Sequence, residues 1–218
     1  MRRFIGTGLR GIGFTFFALT SVMVAAYAFA FLKVLPYEPQ NPFMASFAVQ
    51  GLVVPMHFFG AGLALLLAPV QASAWVRRRW PALHRTSGWL YAGGVLAGGV
   101  AGLGMAFHAQ GGWASGAGFL LLAVTWLLVT GNGIRFAVLG DIARHRHWMV
   151  HSLAMTFGAV TLRVILFGGT LVFKLPLEPV YIFAAWTSWT FNMAVCELWL
   201  RWRRRAMPLQ ASRRAQPA

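Results

Sequence analysis

Apolar residues along this chain gather into six long runs, at 11–32, 46–70, 87–107, 117–139, 148–172 and 180–200. Each is about as long as a tilted helix needs to cross ~30 Å of hydrocarbon at 1.5 Å per residue. The expectation is an all-α, polytopic transmembrane bundle of six helices. The connectors are short and carry turn formers, such as Pro36, Pro39 and Pro42 after the first run and Gly111, Gly112 and Gly116 after the third. They leave no room for a separate soluble domain. The first run follows a basic stretch, as in a secretory signal, but it is longer than the apolar core of a signal and is read as a retained first helix. Three regions result: a basic segment at 1–10, a membrane domain at 11–201 and a basic tail at 202–218 with too few apolar residues to pack, expected to be mobile.

Composition agrees with a bilayer as solvent: 58% of residues are hydrophobic, 11% are charged, and the mean hydropathy is +0.63. A net charge of +15 would suggest nucleic acid if it lay on one folded surface, so its position along the chain decides. Sixteen of the 19 basic residues lie at 2–10, 77–85, 135–146 and 201–214, in alternate connectors and at both ends. Basic residues mark the cytoplasmic side, so an even number of crossings with both termini inside is expected, and a nucleic-acid partner is not. The expected location is the inner (cytoplasmic) membrane of a bacterium, crossed several times, with anionic lipid against the basic face. Trp80, Trp89, Trp113, Trp148, Trp202 and Tyr37 fall near run ends, where interfacial aromatics anchor helices. A single cysteine, Cys196, excludes a disulfide framework.

A polar side chain in hydrocarbon costs a few kcal/mol unless it has a partner, so the polar residues inside the runs are where function would show. These are His57, Asn132, His151, Arg163, Asn192 and Glu197. His57 lies ~16 Å from the outer end of its helix and Arg163 ~13 Å from the outer end of its own, nearly the same depth. Gln50, His57, Gly60, Ala61, Ala64 and Ala68 share one face, which reads either as a seat for a flat ligand or as a close helix contact bridged by His57. Pro55 is expected to free the carbonyl of Gly51 beside that face. Ser152, Thr156, Ala159 and Arg163 form a second stripe that turns the arginine inward, where no carboxylate lies at its depth. Carbonyls, water or an acidic or carbonyl group of a ligand remain to satisfy it. Gly94, Gly98 and Gly102 recur every four residues, a close-packing surface.

Toward the cytoplasm, His84 could pair with His147 or His151 as axial haem ligands; interfacial histidines in basic loops are the alternative reading. No metal site is expected, because these histidines lack a carboxylate or thiol beside them other than Asp141. No hydrolase constellation or phosphate loop is present.

Taken in order, His57 with Gly60, Pro69-Val-Gln71, Arg79-Trp-Pro81-Ala-Leu-His84-Arg85, Gly88-Trp-Leu-Tyr91, Gly140-Asp141, His145-Arg-His-Trp148-Met149 and Thr161-Leu-Arg163 resemble the predicted bacterial membrane proteins catalogued as domain of unknown function 2306. The resemblance spans roughly residues 50–165. It implies a multi-helix membrane fold, points at His57, His84, Arg85, His145 and Arg163, and implies no activity.

Two functions are therefore in view. One is a redox or small-ligand membrane protein, with a quinone-like molecule at Gln50, His57 and Arg163 and a b-type haem at the inner histidines. The other is a non-enzymatic accessory or assembly subunit that packs against other membrane subunits. Transport ranks behind both, for want of carboxylates and broken helices near the midplane.

Overall fold

The computed structural model describes the backbone of residues 2–34 and 51–214, and within these the side chains of 11–33 and 51–203. Among the described residues every element is helical. The order is α1 (Arg2–Val34), α2 (Val53–Ala72), the short α3 (Ala74–Arg79), α4 (Pro81–Ala106), α5 (Gly112–Val138), α6 (Ile142–Thr156), α7 (Gly158–Phe167) closed by a π-helical turn at Gly168–Val172, and α8 (Leu177–Arg214).

Five of the described stretches are long and apolar enough to cross a membrane: Gly11–Lys33, Val53–Ala72, Pro81–Ala106, Gly112–Val138 and Ile142–Val172. The last expected run lies inside α8, which is not among the five. Thr187, Ser188, Thr190 and Asn192, interleaved with Trp186 and Trp189, dilute its apolar character.

Local chemistry explains where the helices depart from the expected limits. Pro81 occupies the first turn of α4, where a missing N–H is no loss, so the helix starts before the apolar run and takes in His84 and Arg85. Gly111 and Gly112, with φ of +82° and +60°, let the chain turn straight into α5. Asp141 caps α6, its carboxylate accepting the N–H of Arg144 at 3.0 Å. Pro55 requires a correction. Helix α2 begins at Val53, so Pro55 sits in its first turn and kinks nothing; Gly51 lies outside the helix at φ +56°.

The fifth run is interrupted at Phe157, between α6 and α7. There the hydroxyl of Thr156 donates back to the Ser152 carbonyl at 2.9 Å and Gly158 follows, a combination that bends helices. Arg163 lies beyond this bend.

Packing runs around a ring. Helix α1 packs on α2 and α7, α2 on α4, α4 on α5, α5 on α6 and α8, and α7 on α8. Small residues line the contacts, with Ala25, Ala64, Ala68, Ala184 and Ala185 buried, whereas Leu96, Leu128, Val164 and Phe183 face outward. Large apolar residues outside and small ones inside suit a lipid solvent, in which close approach and not apolar burial holds helices together. The core centres on Tyr91, Val95, Trp126, Val129 and Met155.

Candidate functional site

His57 sits just over one turn into α2, where that helix crosses α4. The crossing is close because glycines face each other. A Cβ on Gly60 would lie 2.5 Å from the Gly98 nitrogen and 2.7 Å from the Gly94 oxygen. The His57 ring then lies over Gly102, whose Cβ would meet Nδ1 at 3.4 Å, and Nδ1 donates to the Gly98 carbonyl at 2.8 Å. The bridged contact expected from the small-residue face is thus present. Because a carbonyl only accepts, the proton is on Nδ1, and Nε2 makes no bond among the described residues.

Arg163 comes from α7 on the far side of the same space. One terminal nitrogen donates to the Ala159 carbonyl at 2.9 Å, one turn back. Its guanidinium lies over the Tyr27 ring of α1 at 5.0 Å, a cation–π contact that partly offsets the loss of water. Its Nε is buried and has no hydrogen-bond partner among the described residues.

His57 and Arg163 both line a partly open cavity of about 520 Å³ between the helices. Most of the wall is apolar or glycine; Thr156, Trp126 and Ser188 add polar edges. The hydroxyl of Ser188, like Arg163 Nε, is buried without a partner among the described residues. Gln50, the third residue expected here, lies outside the described residues.

Two residues of the cavity wall, Trp126 and Thr156, belong to a buried hydroxyl network that the sequence only half revealed. Tyr91 from α4 lies 2.7 Å from both Ser152 and Thr156, Thr130 is 2.7 Å from Ser152, and the Trp126 indole donates to Thr156 at 3.0 Å. The proton of Thr156 goes to the Ser152 carbonyl. Tyr91 must therefore donate to Thr156, Ser152 to Tyr91, and Thr130 to Ser152. Every member is satisfied, so the network holds α4, α5 and α6 in register at roughly 0.6 kcal/mol per interhelical bond. Ser152 and Thr156 stood out as a polar stripe; Tyr91 and Trp126 did not, because amphipathic aromatics are common at run ends and in cores alike.

The inner histidines are elsewhere, and none of His84, His147 and His151 lines this cavity. His147 and His151 share one helix face, their rings edge-to-face with centroids 4.6 Å apart. His151 uses both nitrogens, Nδ1 on the His147 carbonyl at 2.9 Å and Nε2 on Glu197 at 3.3 Å, and Glu197 also holds Arg201 at 2.8 Å. His145 donates to the Gly133 carbonyl at 2.8 Å, pinning α6 to α5. His84 lies in the electrostatic field of Arg77 and His145, its Nδ1 buried without a partner among the described residues. Burial first, then the nearby charges of Arg146 and Arg78, lowers the pKa of Arg77 on α3. Among the described residues no three His, Cys, Asp or Glu side chains group as a metal site.

A family model described as "Predicted membrane protein (DUF2306)" matches residues 54–200. The match reaches past the expected limit of the resemblance to take in most of α8, and it includes His57 and Arg163 but not Tyr27. No curated protein and no solved structure matches the chain.

Proposed function

Since the chain belongs to this DUF2306 family of predicted membrane proteins, we propose that it crosses the inner membrane of a bacterium six times and holds a lipid-soluble, oxygen-bearing molecule of quinone-like chemistry between His57 and Arg163. The observation that carries this reading is Arg163: a guanidinium with one carbonyl, one aromatic face and an unpartnered Nε, turned to a cavity it shares with His57. An arginine in a bilayer interior costs roughly 2.5–3.5 kcal/mol, and a purely structural one would be expected to find enough acceptors to offset that. A cavity of about 520 Å³, mostly apolar with a few polar groups, has the size and character of a small-molecule site. A haem at His84 with His147 or His151 has less support, since both nitrogens of His151 are engaged.

The test is mass spectrometry of the organic extract of protein purified in mild detergent. Wild type should carry a lipophilic species in near-stoichiometric amount, and His57→Ala should lose it. An extract indistinguishable between the two proteins, with nothing but bulk phospholipid, would count against the reading.

The sixth crossing is assigned to α8. Its support is the charge pattern, since the basic clusters share one side only if α8 crosses. The basic face then lies against anionic lipid, each arginine contributing roughly 1 kcal/mol. A fluorescent protein fused after Ala218 should glow and an alkaline phosphatase fused there should be inactive; the reverse pair of results would remove this crossing.

A further inference from the structure

The unmet hydrogen-bond capacity of the cavity has a definite sign at each end, and the geometry points to a ligand that carries a hydroxyl donor as well as an oxygen acceptor: the site selects a phenol- or quinol-type molecule over its dicarbonyl or ether counterpart. This rests on the proposal that the cavity holds a small molecule, and names the class of that molecule.

The His57 Nδ1 proton is committed to the Gly98 carbonyl at 2.8 Å, and the ring edge is held there by contact with Gly102. What remains is Nε2. A second cation in an apolar cavity that already contains Arg163 would face both desolvation and repulsion, so the ring is neutral and Nε2 is a lone pair. A lone pair requires a donor. At the other end the Arg163 guanidinium, which lines the cavity and carries only donors, has a single carbonyl partner among the described residues, so it requires an acceptor.

A molecule bearing only carbonyl oxygens satisfies Arg163 and leaves the His57 lone pair desolvated. A molecule bearing a hydroxyl and a second oxygen satisfies both. Sites built to hydrogen-bond a hydroxyl discriminate strongly against analogues lacking it, because the buried protein group is then left unpaired.

The experiment uses a matched, redox-inert pair of probes, octyl 4-hydroxybenzoate and octyl 4-methoxybenzoate, titrated into the full-length protein in nanodiscs with tryptophan fluorescence as the readout. The two share the ester acceptor and the ring and differ in the one donor. Wild type should bind the phenol at least about tenfold more tightly, and His57→Phe should bring the ratio close to one while still binding the ester. Equal affinity of wild type for both probes overturns the inference and leaves the site standing, and so does a preference that survives in His57→Phe. Binding of neither probe overturns the proposed site and the inference together. The wild-type ratio needs no variant, so poor folding of His57→Phe does not protect the inference.

Discussion

Gly60→Ala should lower the melting temperature of the purified protein by roughly 2–12 °C, the effect of 1–3 kcal/mol of overpacking in a chain of this size. The added Cβ would lie 2.5 Å from the nitrogen of Gly98 and 2.7 Å from the oxygen of Gly94. Both are backbone atoms, so no side chain can swing away and α2 and α4 must separate. Separation would also lengthen the His57 bond to the Gly98 carbonyl, so ligand retention should fall with stability. Gly93→Ala is the control. Its Cβ meets nothing within 4 Å, and alanine is the better helix former by up to about 1 kcal/mol, so this variant should melt at or above wild type. Equal melting of the two variants would show that the α2–α4 contact is looser than the glycine geometry requires.

Arg163→Met should separate function from stability. Truncating a charged donor that serves the ligand should weaken binding of octyl 4-hydroxybenzoate about ten- to hundredfold, the range for hydrogen bonds to charged groups. The empty protein, however, should be no less stable, and up to a few kcal/mol more so, because an under-partnered buried cation is replaced by an apolar chain of similar length. Thermal unfolding without probe, compared with probe affinity by fluorescence titration, reads the two effects independently. An arginine that serves architecture gives the opposite pattern: a clear drop in melting temperature with affinity unchanged in the surviving fold. Methionine keeps the contact with the Tyr27 ring, so the comparison isolates the charge and its donors.

Several features of the site could be read from residues alone. Depth along a helix follows from 1.5 Å per residue, and this matched His57 with Arg163 before any packing was known. The absence of a carboxylate at that depth left carbonyls, water or a ligand group for Arg163, and the Ala159 carbonyl takes one of its terminal nitrogens. Other features escaped the sequence for reasons that can be named. Tyr27 belongs to α1, which carries no motif, and becomes part of the site only because α1 packs on α7. The bend at Phe157 depends on a side-chain bond from Thr156 that competes with the helix, an option open to any helical threonine. The position of Pro55 turned on a start of α2 at Val53, which no capping signal announced: Leu52 precedes it without a side-chain cap.

What the sequence by itself determined was the apolar solvent and the helical secondary structure. Apolar runs of that length leave the backbone no hydrogen-bond partners but its own, so helices follow from the runs alone. Only the tertiary structure decided which neighbours meet. Gly93 and Gly94 are adjacent and chemically identical, yet ~100° of helical rotation places one against open space and the other against the Gly60 carbonyl. Likewise His151 has both nitrogens engaged by neighbours, whereas His57 makes one hydrogen bond among the described residues, from Nδ1 to the Gly98 carbonyl. Periodicity and composition are properties of one helix, whereas a binding site is made by the faces that several helices turn toward each other.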